Sequence, residues 1–343
     1  MNKRVLIVGA GIAGMEAAAG LSSLNYEVLL FEKDEKPGGH LKNWERLFPT
    51  QRLGSEVLEF LEKGIGETVK LISNTNIISA EKSDKNFKVV SDKGDVWYGD
   101  ALLITTGYDL FEARKKEEYG HGIYDNVFTS AELESLFLNK KELLTHQNKK
   151  PARIGFIHCV GSRDKKVGNV YCSKVCCVTA VKQAIEVREK LPECEVYCFY
   201  MDLRMYGMHF EELYNEAQEK WGVTFIRGRL SETAENIDKS LQIKVEDTLL
   251  GRPLRMTVDM LVLMVGFVPS KSTTMLGKEV GIDFNSNGFL KTMDEHTSTN
   301  ITGKPGVFVA GTCTSPQTIT NTIIDGRSAA LTIHEWLSKS GTV

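Results

Sequence analysis

Four thiols crowd into nineteen consecutive positions of this chain: Cys159, Cys172, Cys176 and Cys177, in the pattern C-x12-C-x3-C-C. Clustered cysteines either pair with one another or hold something. Cys176 and Cys177 are neighbours, and a disulfide between neighbours is strained, because unstrained bridges span Cα separations of about 4.4–6.8 Å. Soft metals and iron–sulfur clusters accept thiolates at irregular spacings. No second C-x-x-C and no histidine at finger spacing accompanies them, which weighs against zinc. On spacing alone two readings stay open: a bound cluster, or buried thiols that only pack.

The elements that must bring these thiols together can be read around them. Ile154–Val160 is an apolar, strand-like run ending at Cys159. His158 is expected on the opposite face of that strand. Val175 to Lys190 reads as a helix, so Cys176 and Cys177 fall in its first turn, where free N–H groups favour negative charge. The four converge only if Val160 to Tyr171 folds back, which Gly161 and Gly168 permit. Cys194 and Cys198 are expected in the core.

A second constellation lies at the N-terminus. Arg4 to Val8 is a buried parallel-strand pattern that runs into Gly9-Ala-Gly11-Ile-Ala13-Gly14 and then an alanine-rich helix. Gly9 permits a tight turn, Gly11 lets the backbone approach a pyrophosphate, and Gly14 lets helix and strand pack closely. The helix N-terminus then faces the phosphates. The next strand, Glu27 to Phe31, ends at Glu32, placed to accept from an adenosine ribose; an acid there disfavours a 2′-phosphate.

Length and composition bound the rest. At 343 residues two domains are expected. The net charge of −3 argues against nucleic-acid binding. No apolar run is long enough for a membrane span, and glycines interrupt the N-terminal run too early for a signal peptide. Seven cysteines, an odd number with four crowded, do not look like a secreted disulfide framework. A reducing, cytoplasmic setting is expected.

In order, Asn76–Ala80, Phe87–Val90 and Val96–Tyr98 read as an antiparallel meander, and Ala101–Ile104 as a buried strand ending in Thr105-Thr106-Gly107. Leu133 to Thr145 reads as a helix, and the polar His146–Pro151 as a linker, where the domain boundary is placed. The second domain then opens on Ile154–Val160, but Cys159-Val-Gly161-Ser stands where a nucleotide-binding domain would carry a second glycine-rich turn. That departure disfavours a nicotinamide site and NADH as direct reductant. The chain returns through Gly306-Val-Phe-Val-Ala-Gly311-Thr312-Cys313, and Thr318 opens a final helix to His334.

Several motifs carry a resemblance: CVGSRDKKVGNVYCSKVCC, YMDLRMYGMHFEELY, MVGFVPS and GVFVAGTC, with the Glu32-Lys33 pair before Gly38-Gly39-His40-Leu41. The chain resembles the A-type subunits of heterodisulfide reductases, of quinone-interacting oxidoreductases and of short sulfur-oxidising complexes. The resemblance implies an α/β fold of two Rossmann-like dinucleotide-binding domains of the disulfide-reductase flavoprotein type. It places an FAD-binding domain at 1–148 and 270–343, and a second domain carrying the cysteines at 149–269. It implies a 4Fe–4S cluster on Cys159, Cys172, Cys176 and Cys177. FAD would be held by Gly9, Gly11, Ala13, Gly14, Glu32, Lys33, Gly39, His40, Leu41, Ile77, Thr105, Thr106, Gly107, Gly311, Thr312 and Thr318. It further implies an oxidoreductase passing electrons between flavin and partner iron–sulfur subunits, and a homodimer. This chain has Thr312-Cys313 where most such flavoproteins carry Asp, and it lacks the C-x2-C-x2-C runs of ferredoxin-like inserts. Two other functions are carried alongside: an NAD(P)H-dependent disulfide reductase, and a non-catalytic FAD-binding assembly module.

Overall fold

A computed structural model describes residues 3–83 and 86–339; the outermost residues of the expected FAD-binding domain lie outside them. The described residues divide into two compact units, one drawn from Met1–Lys42, Ser55–Asp109 and Val268–Val343, the other from Asn43–Gly54 and Leu110–Phe267. The chain thus leaves the first unit at Asp109, well before the expected linker at 146–151. The reason is local. Val127–Thr129 pairs in parallel with Met260–Val265, so the segment ahead of the linker is already a strand of the second sheet.

In the first unit five parallel strands run in the order Val307–Val309, Ala101–Ile104, Arg4–Val8, Glu27–Phe31, Val69–Ile72. Val5, Leu6 and Ile7 are fully buried, as a strand covered on both faces requires; each such side chain contributes about 1.5–3 kcal/mol. The helix Ile12–Ser23 follows the glycine turn and packs on the long helix Ile319–Lys339. The meander forms as read, with strands Ile77–Ser83, Asn86–Ser91 and Val96–Gly99.

The second unit repeats this plan: Val127–Thr129, Met260–Val265, Arg153–Val160, Glu195–Tyr200 and Thr224–Arg227, again all parallel. It has its own antiparallel sheet of Leu230–Glu235, Leu241–Asp247 and Arg252–Val258. Arg153–Val160 therefore holds the central place that Arg4–Val8 holds in the first unit. The helix expected over 133–145 runs only over Ser130–Leu138; Thr129 and Glu132 form a capping box at its start, and Lys140, with φ +51°, ends it. Among the described residues no helix is long and apolar enough to cross a membrane.

Candidate cofactor and thiol sites

The loop after the first strand is held from several sides. Thr105 Oγ1 donates to the Val8 and Gly9 carbonyls at 3.1 and 2.7 Å, tying the two strand ends together. Glu32, 5% exposed, accepts from the Ala10 N–H at 3.1 Å and from the Asp34 N–H at 3.0 Å. Its carboxylate braces the glycine turn and retains acceptor capacity for a further donor. Lys33 beside it is exposed. The Gly38 N–H donates to the Ala10 carbonyl at 2.7 Å, which sets the second glycine pair against the first.

Gly11 and its neighbours differ in the space around them. A Cβ on Gly14 would lie 1.9 Å from the Gly9 carbonyl oxygen, whereas a Cβ on Gly11 would meet nothing nearer than the Gly39 Cα at 4.0 Å. Gly14 is glycine for the fold. Gly11 faces room that the described protein atoms leave open, at the start of a helix whose first N–H groups have no side-chain cap. That arrangement suits a phosphate.

Other predicted positions fall around the ends of the same sheet. His40 stacks on Tyr108, with ring centroids 4.2 Å apart, and its Nε2 lies 2.8 Å from the Tyr108 carbonyl. Burial pulls the His40 pKa down, against that hydrogen bond. Thr106 Oγ1 is 2.7 Å from Thr273 Oγ1, which in turn donates to the Gly107 carbonyl. The Gly311 N–H donates to Asp325 at 2.7 Å, and Asn300 donates to the same carboxylate. Thr318 caps the last helix through the Asn321 N–H. Ala13, Leu41 and Ile77 are buried, Ile77 within the apolar core. Thr312 is half-buried. The Asp325–Asn300 brace escaped the sequence reading, since neither residue sits in a motif.

The thiols lie in the second unit. Cys159 ends its strand with φ +59°, a left-handed turn that interrupts the pairing register after Ile157. The insert doubles back as expected: Arg163 N–H donates to the Tyr171 carbonyl, and Asp164 and Asn169 bond each other's backbones. Cys176 and Cys177 open the helix Cys176–Lys190. Cys159, Cys176 and Cys177 come together. The neighbouring Cys159 and Cys177 thiols push the Cys176 pKa well above the usual value. The Cys176 thiol in turn is the main reason the Cys159 and Cys177 thiols are pulled down, against burial.

The buried His158 ring lies by Cys198 as alternation predicts, since Phe156 on the same face of the strand pairs with Cys198, and Cys177 is near it as well. Burial opposes its charge, but those two sulfur partners raise its pKa to about 10. Cys198 is fully buried, as expected of a core thiol, and so is Cys194, whose pKa burial raises to about 12.

Cys172 is half-buried on the adjoining loop and accepts from the Lys174 N–H at 3.3 Å. The Cys177 thiol donates to the Asp202 carbonyl at 3.7 Å, so the loop after Glu195–Tyr200 borders it. Among the described residues no group of three or more His, Cys, Asp or Glu side chains is disposed to hold a metal ion. In kind the donor set fits an iron–sulfur cluster: four thiols, two of them with depressed pKa, and an N–H bond to sulfur of the sort that tunes clusters.

At the same strand end Gly161 contrasts with Gly11. A Cβ there would lie 2.0 Å from the Phe111 ring. The room beside this glycine is taken by an aromatic side chain, whereas that beside Gly11 is open.

A model of the pyridine nucleotide-disulphide oxidoreductase family matches residues 3–326. The chain is 28% identical to the A-type subunit of the H(2):CoB-CoM heterodisulfide,ferredoxin reductase of Methanothermobacter marburgensis, over 96% of this chain and 63% of that one. It is 30% identical to the A-type iron-sulfur subunit of the CoB–CoM heterodisulfide reductase of Methanocaldococcus jannaschii, over 96% and 64%. The chain thus spans a little under two thirds of the length of these relatives. Among solved structures, thioredoxin reductase of Lactococcus lactis superposes with a TM-score of 0.70 at 19% identity, covering 98% of this chain and all of that one. Thioredoxin reductase of T. acidophilum gives 0.68 at 19%, covering 97% and 99%. These two likenesses bear out the two-Rossmann fold.

Proposed function

Because the chain belongs to the pyridine nucleotide-disulphide oxidoreductase family, and is an oxidoreductase, we propose that it is an FAD- and 4Fe–4S-containing electron-transfer subunit of a heterodisulfide reductase-like complex in the cytoplasm. One observation carries this reading. Two like sheets present equivalent strand ends, one with an open glycine turn, the other with three gathered thiols and its glycine closed by Phe111. The first suits a dinucleotide and the second does not.

Gly11, Gly39 and the first turn of the Ile12–Ser23 helix would receive the pyrophosphate. Glu32, already bracing the loop, would accept from ribose. Thr105, Thr106 and Gly107, with Gly311, Thr312 and Thr318, would line the remainder. Cys159, Cys172, Cys176 and Cys177 would hold the cluster. Bound, the flavin supplies exchange between electron pairs and single electrons, and the cluster supplies single-electron transfer to partner iron–sulfur subunits. The protein's part is placement: the first turn of Cys176–Lys190 brings its dipole to Cys176 and Cys177.

The visible spectrum and the iron and sulfide content of anaerobically purified protein test the proposal. Flavin bands over a broad iron–sulfur absorption, with about four irons per chain, are expected; iron-free yellow protein would overturn it. A second reading, an NAD(P)H-dependent disulfide reductase, draws on the influence of the Cys176 thiol that pulls the Cys159 pKa down to about 7. It requires rapid flavin reduction by NADH without iron. A homodimer is part of the proposal, and a monomeric mass in sedimentation at micromolar concentration would remove it.

A further inference from the structure

Of the clustered thiols, Cys172 has the least regular structure to hold it. Cys159 ends a strand, and Cys176 and Cys177 open a helix, whereas Cys172 lies on a stretch, 170–175, that is neither. Yet both of its neighbours are tied to one residue. Tyr171 Oη donates to the Phe267 carbonyl at 2.8 Å, and the Phe267 N–H donates to Ser173 Oγ at 2.9 Å. Ser173 is fully buried. The residue before Phe267 reaches the other arm. The Gly266 N–H donates at 2.9 Å to the carbonyl of Val160, which follows Cys159. Gly266 and Phe267, from the MVGFVPS motif, thus bridge the segments that carry Cys159 and Cys172. They continue directly from the strand Met260–Val265, which is buried throughout, so the bridge is anchored in the sheet.

Space explains the glycine. Gly266 does not use the left-handed region, so its backbone angles are not what excludes a side chain. A Cβ there would lie 2.7 Å from Ser173 Oγ and 2.8 Å from Ser162 Cβ. Any side chain at 266 would push the Cys172 segment away. We propose that Tyr171 and Ser173 are positioning residues for Cys172, and that the Gly266-Phe267 turn is the template that sets its distance from Cys159. The inference rests on the cluster reading above. A ligand set must be held within about 0.5 Å of its working geometry, which a loop cysteine achieves only through such anchors.

Ser173→Ala and Tyr171→Phe each remove one anchor and keep every thiol. The full chain, purified anaerobically, is exposed to an iron chelator. Both variants should lose iron about tenfold faster or more than the unaltered protein. The electron paramagnetic resonance spectrum of the dithionite-reduced cluster should change as well. Tyr197→Phe, which removes a bond to exposed Glu195 in the same sheet, should match the unaltered protein. Iron-stripped preparations are then alkylated with iodoacetamide, and each cysteine is followed by peptide mass spectrometry. In both anchor variants alkylation should speed at Cys172 and stay unchanged at buried Cys194. Iron loss unchanged in both variants overturns the proposal. So does alkylation that rises equally at Cys194, because the variants would then loosen the whole domain. Full iron in the unaltered protein with unchanged release in the variants sinks the positioning role alone, whereas an iron-free unaltered protein sinks the cluster reading.

Discussion

A side chain at Gly11 has room in the protein and at Gly14 has none, so the two glycines should fail differently. Gly11→Leu is expected to fold, losing about 1 kcal/mol or less at a helix N-cap, and to emerge colourless because its side chain enters the pyrophosphate space. Gly14→Ala forces a Cβ to 1.9 Å from the Gly9 oxygen and should yield little soluble protein. Circular dichroism with flavin absorbance separates the two outcomes; full flavin in the Gly11 variant would move the site elsewhere. Cys172→Ala should strip iron while leaving FAD, and Cys194→Ala should leave iron alone. A Cys172→Ala protein with a full complement of iron refutes the ligand set. At this scale the sequence was informative where chemistry needs a fixed spacing, as in the glycine turn and the thiols. It was silent on Phe111 and Asp325, whose roles depend on distant chain segments.

The helix Cys176–Lys190 carries a charge arrangement that its sequence disguises. Lys182 and Glu186, one turn apart, look like a surface ion pair, yet they are 0% and 1% exposed. Lys182 Nζ reaches both Glu134 oxygens at 2.7 Å and Glu186 at 2.8 Å, over the face of Trp44. Two carboxylates share one lysine, with Arg46 4.0 Å from Glu186. Burial is the main cause that lifts the Glu186 pKa to about 7, and neighbouring Glu134 adds to it against the pull of Lys182. A carboxyl whose folded pKa is raised contributes stability that is complete below its ordinary value near 4.5 and is lost as pH rises toward 7. At roughly 1.4 kcal/mol per unit, the loss is on the order of 3 kcal/mol. Glu186→Gln should therefore flatten the fall in melting temperature between pH 5 and pH 8, while Glu134→Gln, which weakens the better-bonded partner, should destabilise throughout. An unchanged pH profile in Glu186→Gln would count against a raised Glu186 pKa as the cause. Two elements escaped the sequence reading for a related reason. Lys271–Val280 and Leu230–Glu235 are rich in polar residues, and each buries too few apolar side chains to show a clear period.

Across the whole molecule, the paired sheets make a statement about reductants. With Phe111 over Gly161, NADH should not bleach the flavin of the isolated protein, whereas dithionite should; stoichiometric bleaching by NADH in a rapid-mixing trace would reverse that assignment. The double fold was legible because both central strands are continuous apolar runs, and the boundary was not. Val127–Thr129 is three residues long, too short to announce the sheet it joins.

The order of synthesis follows from the way the first unit is assembled. Its edge strand Val307–Val309 and its long helix Ile319–Lys339 are made last, after every residue of the second unit has left the ribosome. Until then Ala101–Ile104 lacks its outer neighbour, and the helix Ile12–Ser23 has its apolar face uncovered. A nascent chain paused before Val307 should show a protease-resistant second unit and a digestible first one. By that logic a dinucleotide held by the first unit would be a late passenger, taken up only once Val307–Val309 and Ile319–Lys339 are in place, while the cysteine-bearing half is already folded.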